Sequence, residues 1–193
     1  MKLVIIKYNA GNTQSVIYAL ERLGYTAEVS DDPAVIRAAD KVIFPGVGEA
    51  GSAMRYLCER GLDKVIVALT QPVLGICLGL QLMCAYTEEG PVACLGIFPQ
   101  QVKLFPPVEK VPQIGWNTIF DLKSPLFKNV NDSSYVYYVH SFYAELGENT
   151  IATTNYITNY SAALCKNNFY AMQFHPEKSG DVGEQMLKNF IAL

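Results

Sequence analysis

Val73-Leu74-Gly75-Ile76-Cys77-Leu78-Gly79-Leu80-Gln81 runs a short apolar segment straight into a cysteine set between two glycines. The Gly-x-Cys-x-Gly pattern predicts a strand, a sharp turn and a helix, with the cysteine at the corner. The glycines keep side chains out of the turn and out of the contact between strand and helix. A thiol at a helix N-terminus also sits at the positive end of the macrodipole, which favours thiolate. Buried strand–turn–helix units carry such cysteines without any chemistry, so Cys77 alone leaves both readings open.

Upstream, the same alternation repeats. Leu3–Ile6 is an apolar β-branched run, and residues 13–23 place Val16, Ile17, Leu20 and Leu23 at helical spacing before Gly24 stops them. A strand is predicted over 25–30, a short helix over 33–38, and a strand over 42–44 ending at Pro45-Gly46-Val47-Gly48. Helices follow through 53–58 and 62–69, then the strand at 73–76 and a helix over 78–87. Such alternation specifies right-handed βαβ units and an α/β fold. It predicts a mostly parallel central sheet with helices on both faces.

From about residue 91 the texture changes. Short β-like runs at 101–105 and 117–120 are broken by prolines, and residues 135–143 form an aromatic, β-branched run. Further strands are predicted near 150–154, 161–165 and 169–174, with an amphipathic helix over 181–191. No repeat or linker interrupts the chain. The expectation is a single domain over residues 1–193 with an antiparallel addition in the C-terminal half.

Composition narrows the function. A net charge of −3 with scattered Lys and Arg gives no footprint for nucleic acid. Five cysteines without a C-x-x-C pair, and only two histidines, offer little to a metal site, and no cofactor motif is present. Four of the cysteines read as buried small apolar residues in a reducing compartment. The N-terminal apolar run breaks too early for a signal peptide. No stretch approaches the roughly 18 apolar residues of a membrane span, so a cytoplasmic protein is expected.

In a doubly wound sheet, sites form at the carboxyl ends of strands. Three such ends carry chemistry here: Gly46-Val47-Gly48, Cys77, and the run 171–174 that delivers His175. Pro176 keeps His175 extended, and Glu177 then shares its side at i+2. A carboxylate there can fix the imidazole, and the imidazole can deprotonate the thiol. The N–H of Leu78 and one from the Gly46-Val47-Gly48 turn, that of Val47, are candidate oxyanion donors. A strand-end histidine held for structure, and a Gly-rich turn cradling a phosphate, are the competing readings. The turn lacks a P-loop lysine and the full G-x-G-x-x-G pattern.

With Phe174-His175-Pro176-Glu177 added to the Cys77 turn, the chain resembles the class I (triad) glutamine amidotransferases. Pro45-Gly46-Val47-Gly48, Gly115-Trp116-Asn117, Tyr138-Val139-His140-Ser141 and Glu177-Lys178-Ser179-Gly180 narrow the resemblance. They resemble the glutaminase subunits of imidazole glycerol phosphate synthases, over almost the whole chain. The resemblance implies catalysis by Cys77, His175 and Glu177, and glutamine binding by Gly46, Gln81, Glu89, Ser141 and Phe142. It implies ammonia transfer to a separate (βα)8-barrel cyclase, as a heterodimer, with Asn12, Trp116, Asn117, Tyr138 and Lys178 in partner-facing segments. Trp116 as core and Lys178 as a solvated lysine stay open. Ala10, Leu80, Gln113, Ile114 and Phe142 depart from the family's usual residues without touching the triad. Rival readings are another amidotransferase glutaminase, a cysteine hydrolase of related fold, and a non-catalytic regulatory subunit.

Overall fold

All four residues of β1 (Leu3–Ile6) are buried in the computed structural model, which describes residues 1–193. A strand that is apolar at every position must be covered on both faces, and the alternating chain supplies the cover. In order come α1 (Thr13–Arg22), β2 (Ala27–Ser30), α2 (Pro33–Arg37), β3 (Lys41–Phe44), α3 (Ala50–Glu59), α4 (Leu62–Val67), β4 (Val73–Ile76) and α5 (Leu78–Met83). The second half holds β5 (Tyr86–Thr87), β6 (Val92–Ala93), β7 (Gln101–Leu104), β8 (Gln113–Ile119), β9 (Ser134–His140) and β10 (Phe142–Ala144). It closes with β11 (Thr150–Tyr156), β12 (Thr158–Lys166), β13 (Phe169–Met172) and α6 (Gly180–Ala192).

The main sheet has seven strands in the order β11-β12-β13-β4-β3-β1-β2. The five from β13 to β2 are parallel, and β12 and β11 extend the sheet antiparallel beyond β13. Strand parity divides the core. Val4, Ile6, Val42 and Phe44 join Leu57 and Ile66 on one face, in a cluster of 28 buried residues. Leu3, Ile5, Ile43, Leu74 and Ile76 join Leu20, Met186 and Phe190 in one of 26, so the two faces are covered almost equally. No helix is long and apolar enough to cross a membrane.

The sheet puts β4 between β3 and β13, so residues just past Phe44, Ile76 and Met172 meet at one edge. Two departures from expectation bear on that edge. The helix after Cys77 stops at Met83, because Ala85 turns its N–H to Gln100 O and the chain enters β5. The aromatic run at 135–143 is two strands. β9 pairs with β8, β10 with β7, and the chain changes sheets at Ser141, whose carbonyl accepts from Phe105 N. The added small sheet also contains a parallel pair, β5 with β7. Among the cysteines, only Cys77 and Cys84 are buried, and Cys58 is exposed, so the uniform buried reading is corrected.

Candidate active site

Cys77 occupies the corner between β4 and α5 with φ 53° and ψ −106°, a region that costs a side-chain-bearing residue roughly 1–3 kcal/mol. The neighbours over-determine it. Its N–H is held by Met172 O at 2.8 Å, which fixes the corner to β13. A Cβ at Gly75 would lie 2.9 Å from the Met83 sulfur, and one at Gly79 would penetrate the Phe44 carbonyl. Gly79 is required by backbone contact, Gly75 by the Met83 sulfur together with the Gly79 carbonyl at 3.0–3.1 Å, and the thiol is carried to the carboxyl end of the sheet.

His175 follows β13 in an extended conformation, at φ −98° and ψ 96°. Its Nδ1 lies 2.8 Å from Glu177 Oε1, and both side chains are almost fully buried. A carboxylate can only accept, so Nδ1 carries the hydrogen and Nε2 is left towards the thiol. Burial disfavours the imidazolium, but Cys77 and Glu177, through hydrogen bonding and charge, outweigh it and raise the His175 pKa. Nε2 is buried and makes no hydrogen bond within the protein. Arranged so, the imidazole is a proton carrier for one neighbour, the Cys77 sulfur.

The oxyanion donors stand differently from expectation. Leu78 N–H, an unpaired donor of the first turn of α5, is taken by Gly46 O at 3.3 Å. In a planar trans peptide the N–H points opposite to the C=O. With the Gly46 carbonyl turned inward, the Val47 N–H therefore points away from the site. One rotation of the Gly46–Val47 peptide would bring the Val47 N–H in and release Leu78 N–H together. Gly46 has no room for a side chain: a Cβ would lie 2.5 Å from the Tyr8 hydroxyl and 2.6 Å from Leu78 Cβ. Tyr8, buried beside it, donates to Pro45 O at 2.6 Å and anchors the segment. Burial first, then the nearby Cys77, pushes the Tyr8 phenol well above its ordinary range, so that proton stays in place.

Cys77 opens onto a cavity of about 250 Å³ whose wall includes Val47, Leu78, Gln81, Glu89, Ser141 and Phe142. Gly46 lies behind this wall. Gln81 gives its NH2 to Phe142 O at 2.9 Å and to Gln173 Oε1 at 3.1 Å, leaving its carbonyl oxygen for a bound molecule. Glu89 is half-buried and accepts from Ala50 N at 3.0 Å, tying it to the start of α3. Burial raises its pKa, Ala50 N–H opposes that, and Glu49 adds to it. A cationic group bound beside Glu89 would favour its charged form. A roomier cavity of about 440 Å³ lies between α3 and α4 near Cys58 and Cys94. It has no histidine, and burial first, then the neighbouring Asp63, push the Cys58 thiol up and away from thiolate, so size does not mark the site here. No three His, Cys, Asp or Glu side chains converge as a metal site needs.

Two residues passed over in the sequence share this site. Gln173 is fully buried with Nε2 3.6 Å from Cys77 Sγ. Alternation was the available signal for Gln173, which precedes His175 by two residues at the end of β13. Glu177 is reached differently: Pro176–Lys178 form a 3-10 turn, which corrects the extended reading of that residue and folds its carboxylate back to Nδ1. His140 gives Nδ1–H to Phe142 O at 2.7 Å and shapes the turn between β9 and β10. Burial first lowers its pKa to about 4, with the Phe142 carbonyl opposing and His175 assisting, so the ring is neutral.

The residues placed in partner-facing segments separate. Trp116 is 56% exposed, which removes the core reading, and Lys178 is exposed with Nζ 5.9 Å from the Tyr137 ring centre. Tyr138 is corrected: its side chain is fully buried, its hydroxyl 2.5 Å from Thr154 Oγ1. Strand alternation is the reason, and the residue beside it, Tyr137, packs edge-on to Trp116 at 6.0 Å. Asn12 is half-buried and caps α1 through Ser15 N. Asn117 donates to Asn155 O at 3.0 Å and is also half-buried.

Comparison with known proteins agrees with this geometry. Residues 4–193 match the family model for glutamine amidotransferase class-I. Bacteroides fragilis imidazole glycerol phosphate synthase subunit HisH is 59% identical over 196 aligned residues, covering all of both chains. The Haemophilus influenzae protein of the same name is 45% identical, covering 99% of this chain and 97% of its own. Among solved structures, PurLQS from Thermotoga maritima superposes with a TM-score of 0.75 at 14% identity, covering 99% of this chain and 97% of that one. The glutaminase domain of Trypanosoma brucei CTPS gives 0.68 at 15% identity, covering 100% and 98%. These two likenesses speak to the fold. A match across nearly the whole length, on a sheet edge that gathers Cys77, His175 and Glu177, leaves one conclusion: the chain belongs to the class I glutamine amidotransferase family.

Proposed function

We propose that the chain is the glutaminase subunit of an imidazole glycerol phosphate synthase, releasing ammonia from L-glutamine for a separate cyclase subunit. The observation that carries this is the 59% identity over full length to a subunit of that name. The single domain spans residues 1–193, and the work belongs to the cytoplasm, where histidine is made. The partner is a (βα)8 barrel, and the exposed side of the β8–β9 ribbon is its docking surface. Ile114, Trp116 and Tyr135 are large, exposed and on one side of that ribbon.

Glutamine enters the cavity with its α-amino group at Glu89 and a donor on the Gln81 carbonyl oxygen. Backbone groups of Ser141 and Phe142 close the pocket. The Cys77 thiolate attacks the side-chain carboxamide carbon. The Gly46–Val47 peptide rotates, and the N–H groups of Leu78 and Val47 receive the oxyanion. The protonated His175, oriented by Glu177, passes its Nε2 proton to the leaving nitrogen as the carbon–nitrogen bond breaks. Ammonia departs and a γ-glutamyl thioester remains on Cys77. Water then attacks, His175 takes its proton, and the thiolate leaves as glutamate forms. The cyclase uses the ammonia to make imidazole glycerol phosphate and aminoimidazole carboxamide ribotide.

The test is to mix the chain with the cyclase of its own organism and follow amide-labelled glutamine into imidazole glycerol phosphate. Label appears with the wild-type chain and disappears with Cys77→Ala. Undiminished labelling with Cys77→Ala would sink the proposal.

A further inference from the structure

Gln173 stands between two groups of the site, with Oε1 accepting from Gln81 Nε2 at 3.1 Å and Nε2 lying 3.6 Å from Cys77 Sγ. Nitrogen and oxygen of a carboxamide must be told apart by their partners. A backbone group does so here. Gln81 lies 2.9 Å from Phe142 O, which can only accept, so the end of Gln81 at Phe142 is its NH2. The same NH2 meets Gln173, which therefore presents oxygen to Gln81 and nitrogen to Cys77. The relay has one direction, and it ends with an N–H aimed at sulfur.

A thiol is a weak acceptor, whereas a thiolate is charged and accepts strongly even from a neutral N–H. Gln173 is fully buried, so the Cys77 sulfur has a fixed protein donor on this side. His175 follows two residues later beyond the same strand, and its imidazolium is favoured by the same sulfur. We propose that Gln173 is a further catalytic residue. Its carboxamide N–H stabilises the Cys77 thiolate before attack and again as the thiolate leaves the thioester, and Gln81 keeps it aimed. No bond to Gln173 forms or breaks, and its proton stays on nitrogen throughout.

This rests on Cys77 being the nucleophile, and its test needs no glutamine. The full chain is treated with iodoacetamide across pH, and alkylation at Cys77 is followed by mass spectrometry of its peptide. Gln173→Met keeps the length and removes the donor. Its alkylation profile moves to higher pH, with Cys77 reacting about tenfold more slowly at neutral pH. Gln81→Met touches the sulfur nowhere, yet moves the profile the same way by less, because Gln173 loses its guide. An unshifted profile in folded Gln173→Met overturns the proposal. If that variant does not fold, an unshifted profile in folded Gln81→Met does so instead. Failure here with Cys77→Ala still inactive would reject the Gln173 role alone, leaving the glutaminase reading standing.

Discussion

Gly46 carries the least chemistry of any residue at the site, yet it sets the switch. Its carbonyl occupies Leu78 N–H, and its missing Cβ is what lets the peptide lie against Tyr8 and Leu78. Gly46→Ala is expected to fall at least about 100-fold in glutaminase turnover, the usual cost of losing an oxyanion donor. Turnover at the wild-type level in a folded variant would contradict this. The two histidines divide the pH dependence of stability. His175 has its pKa raised from 6.5 to about 10, so its contribution is complete below 6.5 and lost as pH climbs towards 10. His140 is lowered to about 4, so its contribution is complete above 6.5 and lost as pH falls towards 4. Urea midpoints measured across pH should flatten on the alkaline side in Glu177→Gln and on the acid side in His140→Gln. Wild-type slopes in both variants would refute the assignment.

At the scale of elements, the β8–β9 ribbon joins the outer surface to the catalytic segment. Tyr137 O accepts from His175 N at 2.9 Å, and Tyr137 N donates to Ser179 Oγ, itself bonded to His175 O. The backbone of one ribbon residue thus positions His175 while its side chain lies beside Trp116 and Lys178. Tyr137→Ala and Trp116→Ala are expected to weaken cyclase binding at least tenfold, read by titration calorimetry. Tyr138→Phe should leave that affinity alone and cost about 1 kcal/mol of stability through the lost Thr154 hydrogen bond. The reverse pattern would mean that the ribbon is docked by its other side. Part of this was legible in the aromatic run at 135–143, where alternation separates Tyr137 from Tyr138. Its break at Ser141 was not, because it arises from β7 lying across the path of β10.

Over the whole molecule, an enzyme with one oxyanion donor engaged by Gly46 O and the other turned away at rest should be slow until something turns the peptide. The Gly46-Val47-Gly48 segment leads directly into α3, and Val47 is 40% exposed beside the cavity, with Val47 O held by Gly11 N at 3.1 Å. The isolated chain is expected to hydrolyse glutamine at least about 100-fold more slowly than the chain bound to ligand-loaded cyclase. A coupled glutamate assay compares the two directly. Equal rates would show that the inward carbonyl does not limit turnover.

The sequence by itself determined the alternation of strands and helices, the turn at Cys77 and the His175–Glu177 pair. The first two follow from local rules, apolar runs and glycine at a crowded corner. The pair follows from nearness in the chain, closed by the 3-10 turn over Pro176–Lys178 rather than by the two-residue period of an extended segment. Tertiary structure alone decided which end of the Gln173 amide meets Cys77, that the Gly46 carbonyl faces Leu78, and that Tyr138 is core while Tyr137 is not. Each of these depends on a partner distant in the chain, Phe142 for the amide relay, Leu78 for the peptide and Thr154 for the tyrosine. A hydrogen bond's direction is set by what lies opposite, and only the folded sheet edge brings those groups face to face.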